Sequence, residues 1–250
     1  MTIATTALRP PDTAMLLEAW ESGLGADPVD RAVPLLETLY SAKDLGDLAP
    51  GAWNRLALRA RALLFGADCD TVAECPACGA QLEAAIPVEA LLAGEPVPPA
   101  VDEISFGAVS VRYRPPTRGD IAALAAYPVD EATARLLRRC VTEIRSPERE
   151  MALDELSEEQ LSALDEAIAL ADPDAVIEVA LACPECGETA RLPLDPASFL
   201  WDEIDRWALG VLCEVAELAT AFGWSQDAIL AMSPWRRQAY LALAAGGRSS

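Results

Sequence analysis

The sequence predicts an α+β chain, mainly helical, in which a small ribbon of strands is split in two by a helical insertion and followed by a C-terminal helical segment. Two observations carry this reading. Apolar residues recur at steps of three and four along most of the chain, and they alternate with polar residues beside two matching five-residue turns. Those turns are Cys75-Pro-Ala-Cys78-Gly79 and Cys183-Pro-Glu-Cys186-Gly187. At 250 residues, 52% of them hydrophobic, the chain is long enough for one large or two small domains with a sizeable core.

Residues 1–66 read as N-terminal helices: Thr13 to Glu21, Asp30 to Ser41, and Ala52 to Phe65. In the last of these Trp53, Leu56, Ala60, Leu63 and Leu64 share one side, and Gly66 is the stop. From Thr71 a short strand runs into the first turn, and Gln81 to Val88 follows with Leu82, Ala84 and Ile86 on one face. The same order returns later. Val176 to Leu181 precedes the second turn, and in Thr189 to Leu194 the residues Ala190, Leu192 and Leu194 alternate with Thr189, Arg191 and Pro193. Residues 67–88 and 176–195 are therefore two halves of one module.

The insertion, residues 89–175, is strand plus helix. Ser105 to Arg114 reads as a strand ended by Pro115 and Pro116, after which Thr117 and Asp120 open a helix toward Tyr127. Asp130 is expected to cap a second helix with Leu136, Leu137, Cys140, Val141 and Ile144 on its apolar side. Ser157 and Gln160 form a capping box for a third helix ending near Ala171. In the C-terminal stretch, 196–250, Asp195 and Pro196 start the longest helix. Its Ile204, Ala208, Val211, Val215, Leu218 and Phe222 recur at alternating steps of four and three, a face that must pack on something. Ser225 and Ser233 then cap two shorter helices, the last running from Pro234-Trp235 to about Ala244.

Charge and composition exclude several functions. Nineteen Lys and Arg against forty Asp and Glu leave a net charge of -21, which repels phosphate backbones, so no general nucleic-acid binding is expected. Only residues 101–150 are balanced, with 8 basic and 8 acidic side chains. Arg112, Arg114 and Arg118 lie in that stretch and are expected to face either the acidic segment 151–200, the favoured reading, or an acidic partner. The chain has no histidine, which removes the commonest general base near neutral pH and every Ser-His or Cys-His nucleophile pair. No basic segment with a following apolar run opens the sequence, where Met1 to Asp12 holds Pro10 and Pro11. The most apolar long stretch, Trp207 to Phe222, carries Glu214 and Glu217, so neither secretion nor a membrane span is expected and the protein reads as cytoplasmic.

Four of the seven cysteines sit in the two Cys-x-x-Cys turns, and in a reducing compartment that pattern points to metal rather than to disulfides. Thiolates are soft ligands, and two such pairs supply a tetrahedral ion, zinc by default and iron as the alternative. One ion per chain is expected, held by Cys75, Cys78, Cys183 and Cys186, which makes the split module a four-cysteine zinc ribbon. Closing the loop of roughly 100 residues between the turns costs about 4 kcal/mol of chain entropy, less than a structural zinc contributes. Four thiolates leave no open position for water or substrate, so the metal reads as structural and the chain as no enzyme. The deaminase pattern with a Pro-Cys-x-x-Cys element also needs a ligand that histidine would supply, and thioredoxin-like pairs precede a helix rather than joining strands. Of the single thiols, Cys140 and Cys213 are expected in apolar core, while Cys69 fits no ligand spacing. The pairs Asp154-Glu155 and Asp202-Glu203 read as solvated helix ends.

Three features taken together extend the reading. They are the paired Cys-Pro-x-Cys-Gly turns around a helical insertion, the run Val111-Arg112-Tyr113-Arg114-Pro115-Pro116-Thr117, and the C-terminal string from Ser198-Phe199-Leu200-Trp201 through Phe222-Gly223-Trp224-Ser225 to Asp227-Ala228-Ile229-Leu230. Over about residues 53–245 the chain resembles the baseplate hub assembly chaperones of T-even-type contractile phage tails, whose relatives occur in phage-tail-like contractile injection systems. The resemblance implies a non-enzymatic cytoplasmic factor that helps to build the hub or wedge of a baseplate. A permanent baseplate subunit is the alternative, and a zinc-ribbon regulator a more distant one. Trp201, Trp224, Trp235 and Tyr240, with the long helix's apolar stripe, are expected to hold a client baseplate protein, because aromatic side chains anchor interfaces. Arg112, Arg114 and Arg118 are the further candidates for partner contact.

Overall fold

A computed structural model describes residues 11–41, 45–92, 101–147, 149 and 151–247. Most of the opening stretch searched for a leader, residues 1–10, lies outside these. The order of elements is α1 (Thr13–Leu24), α2 (Val33–Tyr40), α3 (Pro50–Phe65), β1 (Asp68–Glu74), β2 (Gln81–Pro87), α4 (Val88–Leu91), β3 (Asp102–Phe106), β4 (Val109–Tyr113), α5 (Arg118–Ala122), α6 (Val129–Cys140), β5 (Val141–Arg145), α7 (Glu158–Leu170), β6 (Ile177–Ala182), β7 (Thr189–Leu194), α8 (Pro196–Phe222), α9 (Gln226–Leu230) and α10 (Pro234–Gly247). The chain is α+β and mainly helical. No helix among the described residues is long and apolar enough to cross a membrane.

These elements divide into two compact units. The first contains α1, α2, residues 63–65 and α8 to α10. The Asp12 carboxylate caps α1 by accepting from the Met15 amide at 2.8 Å. The expected helix from Asp30 to Ser41 is shorter: a 3-10 turn covers Pro28–Asp30, and α2 starts at Val33 because Pro34, which lacks an amide proton, fits only a first turn. Trp20 Nε1 donates to Asp205 Oδ1 at 2.8 Å, tying α1 to α8. At Gly23 a Cβ would lie 2.5 Å from the Trp201 ring, so only glycine permits this approach.

On α8, Ile204, Ala208, Val211, Val215 and Leu218 are all buried. Five of the six positions of the stripe read from the sequence are thus covered within the chain itself, while Phe222 at its end is exposed. Cys213, expected in the core, is exposed, because it falls on the opposite face of the helix from this stripe. After α8, Gly223 turns the chain with φ of 71°, and Phe222, Trp224 and Tyr240 form an aromatic cluster. Phe222 stacks on Trp224 at 4.6 Å between centroids, and Tyr240 meets Trp224 edge-on at 4.8 Å. Ser225 and Ser233 cap α9 and α10, their hydroxyls accepting from the amides of Ala228 and Arg236, each at 3.3 Å. Arg237, 2% exposed, then ties α10 to α8 through its Nε, which donates to Glu214 Oε2 at 2.8 Å.

The second unit contains most of α3, all seven strands and α4 to α7. Its three-stranded antiparallel sheet has the order β3-β4-β5. The single strand expected from Ser105 to Arg114 is a hairpin instead, because Gly107 adopts φ of 65° between β3 and β4. The helix expected from Asp130, with Val141 and Ile144 on its apolar side, ends at Cys140. The β-branched residues Val141 and Ile144 pair with β4 rather than continuing the helix, and Pro128 rather than Asp130 occupies the cap position. Val111, Tyr113, Cys140, Leu156, Leu164 and Ile168 bury one face of this sheet against α6 and α7. Ser157 and Gln160 form the expected capping box at the start of α7.

Helix α3 departs from the amphipathic pattern: Trp53, Leu56, Leu58 and Ala60 are buried, and so are Asn54, Arg55 and Arg61. Leu63, expected on its apolar side, is exposed. The buried polar groups have partners. Arg61 Nη1 donates to the Gly66 carbonyl at 2.8 Å, and Asn54 Nδ2 donates to the Asp174 carbonyl at 2.9 Å.

Candidate metal centre

The two knuckles sit at the tips of two separate antiparallel hairpins, β1-β2 and β6-β7. Each is built by the same local bonds. The Cys75 amide donates to the Ala80 carbonyl at 2.8 Å and the Gly79 amide to the Cys75 carbonyl at 2.8 Å; in the second knuckle the Cys183 amide reaches Glu188 at 2.8 Å and the Gly187 amide reaches Cys183 at 2.9 Å. Gly79 and Gly187 hold φ of 76° and 77°, a conformation a side chain would strain. Identical turns on two hairpins bring their tips together. Between them Leu82 and Ala190 are buried with Cys75 and Cys183, flanked by Ala80, Leu181 and Leu192.

The four sulfurs of Cys75, Cys78, Cys183 and Cys186 all lie within 4.8 Å of one another, a group that could hold a metal ion. Across the knuckles, Cys75 Sγ and Cys186 Sγ are 3.8 Å apart and Cys78 Sγ and Cys183 Sγ are 3.7 Å apart. A tetrahedral site with metal–sulfur bonds of about 2.3 Å has edges of about 3.8 Å, so the thiols stand at ligand spacing. The first cysteine of each knuckle is buried and the second exposed. The backbone amides of Cys186 and Glu185 draw the Cys183 thiol down to about 7, favouring a thiolate ligand. Cys78 and Cys186 shift the other way: at Cys78 the Ala80 amide pulls down, but desolvation and hydrogen bonds with Cys183, Cys186 and Cys75 push it up to about 12. Cys69 and Cys140 are buried away from this cluster.

Of the arginines singled out from the sequence, Arg112 and Arg114 pair with acids outside residues 151–200. Arg112 lies 3.4 Å from Glu143, and Arg114 Nη1 donates to Asp120 Oδ2 at 2.7 Å. Arg118 lies over the Trp53 ring, 3.8 Å from its centroid. Register places Arg112 opposite Glu143, and α5 supplies Asp120 to Arg114. The contacts to the acidic segment come from other residues, Arg138 with Asp154 and Arg149 with Glu155. Among the aromatic candidates, Trp201 is buried, Trp224 and Tyr240 are half-buried in their cluster, and Trp235 is 87% exposed.

A second set of residues was not legible in the sequence. Helix α3 begins with Ala49 at its cap position, which has no side-chain oxygen, and Pro50 next. The missing cap is supplied from far along the chain: Asp172 Oδ2 accepts from the Gly51 amide at 2.8 Å, a separation of 121 residues. Arg55 Nε donates to Asp174 Oδ2 at 2.5 Å beside it. Burial pushes the Asp172 carboxyl above its ordinary value, the Gly51 amide opposes this, and Asp174 adds to it. The only local signal is the Asp-Pro-Asp run before β6, which reads as an ordinary turn.

The sequence that carries this site matches a family model. A family model described as T4 bacteriophage base plate protein matches residues 34–201, about two-thirds of the chain, and the match spans both knuckles and the whole insertion. No curated protein and no solved structure matches the chain. The chain belongs to the family of T4 bacteriophage base plate proteins.

Proposed function

We propose that this protein is a non-enzymatic assembly factor for the baseplate of a contractile phage tail or phage-tail-like injection system, and that one structural zinc ion staples its two hairpins. The family match over residues 34–201 is the observation that carries the baseplate role. The chaperone reading adds the resemblance of the C-terminal string to hub assembly chaperones, and its partners are hub or wedge proteins held before they dock.

For the metal, the closed set of four thiols at tetrahedral spacing supports a structural ion. Zinc fits an all-thiolate site without redox chemistry, and its bound form supplies cross-linking between the tips of β1-β2 and β6-β7. Cys75 and Cys183 hold it from the buried side and Cys78 and Cys186 from the exposed side. Neither hairpin is bonded to the other through strands. The ion and the small apolar cluster are what join them.

The test combines deletion and particle analysis. Deleting the gene should abolish complete baseplates, while quantitative mass spectrometry of purified wild-type particles should find the protein absent. Its presence in particles at a fixed number of copies would make it a permanent subunit instead.

A further inference from the structure

The knuckle thiols meet as two pairs, each across the gap between the hairpins. Cys75 Sγ lies 3.8 Å from Cys186 Sγ and Cys78 Sγ lies 3.7 Å from Cys183 Sγ, so every thiol contacts one sulfur of the other hairpin and is used once. Each pair joins a buried cysteine to an exposed one. The other three thiols stand outside the cluster, Cys69 and Cys140 buried and Cys213 exposed. Closing either pair to a disulfide moves each sulfur by only about 0.9 Å, from contact to a bond of about 2.0 Å.

We infer that a two-electron oxidant such as hydrogen peroxide converts this centre into two disulfides, Cys75–Cys186 and Cys78–Cys183, which release the metal yet keep the hairpins joined. The inference rests on the shared ion proposed above. Oxidant arrives at the exposed Cys78 and Cys186. The Cys186 sulfur attacks one peroxide oxygen, the O–O bond breaks, a sulfenic acid forms, and the departing hydroxide takes a proton from solvent to become water. The Cys75 sulfur then attacks the Cys186 sulfur, forming the S–S bond and expelling the hydroxyl, which also leaves as water after taking a proton. Cys78 and Cys183 consume a second peroxide in the same way. Each pair gives up two electrons, and sulfurs bonded to one another no longer hold a metal ion.

The pairing decides what oxidation does to the fold. Disulfides within each turn, Cys75–Cys78 and Cys183–Cys186, would leave the tips held only by Leu82, Ala190 and their apolar neighbours, because no strand pairing links the two hairpins. Joining the two buried cysteines to each other would place one disulfide away from the oxidant. The cross-knuckle pairs avoid both outcomes. The chain thus carries a metal joint under reducing conditions and a covalent joint under oxidising ones.

Peptide mapping of the full chain tests this. Zinc content is measured first, and the protein is then treated with two molecules of hydrogen peroxide per chain, with metal release followed by a chromogenic chelator. After alkylation under denaturing conditions, a protease that cuts after glutamate separates Cys183 from Cys186 at Glu185 and leaves Cys75 and Cys78 together between Glu74 and Glu83. The expected product is one species of three linked peptides, in which fragmentation assigns Cys75 to Cys186 and Cys78 to Cys183. One zinc should be released as free thiols fall from seven to three. The oxidised chain should also unfold at a higher urea concentration than the reduced chain stripped of metal. Disulfides within the turns, a Cys75–Cys183 bond, oxidation that stops at sulfur acids, or zinc still bound once the peroxide is consumed overturns the inference and leaves the zinc reading standing. A chain that holds no zinc before treatment overturns the zinc reading instead, while the same map still decides the pairing.

Discussion

Replacing Gly51 by alanine tests the long-range cap of α3 through the sign of the effect. Alanine in place of a helical glycine ordinarily stabilises by up to about 1 kcal/mol, because glycine loses more backbone freedom on folding. At Gly51, however, the new Cβ would lie 2.0 Å from Asp172 Oδ1, 3.0 Å from its Cγ and 2.9 Å from the Asp174 Cβ. Asp172 is 7% exposed and its other oxygen is held by the Gly51 amide, so it has no room to yield without breaking that bond. Losing a charge-assisted bond at a buried helix start costs about 2 to 3 kcal/mol, which exceeds the gain in propensity and leaves a net loss of about 1 to 2 kcal/mol. The matched control is Gly210→Ala on the exposed side of α8, where a Cβ meets nothing within 4 Å and the ordinary stabilisation should appear. Urea unfolding of both variants supplies the comparison. If Gly51→Ala stabilises as much as Gly210→Ala does, the cap reasoning is refuted.

Four further outcomes follow from particular contacts. Burial raises Asp120, but Arg114 and the Thr117 amide more than offset it and hold the carboxyl at about 2, so its contribution of about 2 kcal/mol is complete above the unfolded value near 3.8 and is lost as pH falls through about 2; Asp120→Asn should flatten acid unfolding across that window. Asp172, shifted upward, acts in the opposite sense, and Asp172→Asn should gain relative stability as pH rises above 4. Cys78→Ser and Cys186→Ser should release the metal, measured by a chromogenic chelator, whereas Cys213→Ser, outside the cluster and exposed, should keep it. Arg112→Ala, which breaks an ion pair with both members about two-fifths exposed, should change the denaturation midpoint by less than the equivalent of about 1 kcal/mol, and a larger loss would show that more than a surface pair is involved.

The parts of the fold legible in the sequence are those fixed by local chemistry. Two Cys-Pro-x-Cys-Gly turns between alternating strands specify both hairpins, because the glycine φ, the turn bonds and the ligand spacing are all set within a few residues. The caps at Ser157, Ser225 and Ser233 were legible for the same reason. Where tertiary partners decide, the sequence misleads. Arg55 and Arg61 are not among the residues read as the apolar side of α3, yet both are buried, and the group that accommodates Arg55 lies 119 residues away. Val141 to Arg145 continues an amphipathic helical period after Arg138 and Arg139. Its β-branched residues turn into a strand because β4 offers a pairing edge that no local window contains. Arg112 finds Glu143 through that same pairing, which diverted the sequence reading toward the acidic segment. Cys213 illustrates a finer limit, since a thiol in an apolar helix reads as core until the buried stripe of α8 is phased correctly.

The central claim is that one zinc ion, shared by both knuckles, staples the two hairpins. Elemental analysis of the full chain purified without chelator, combined with titration of free thiols, tests it most directly. One zinc per chain is expected, with four of the seven thiols protected until the metal is removed. Two ions per chain, or no metal together with four knuckle thiols that react freely, would contradict it.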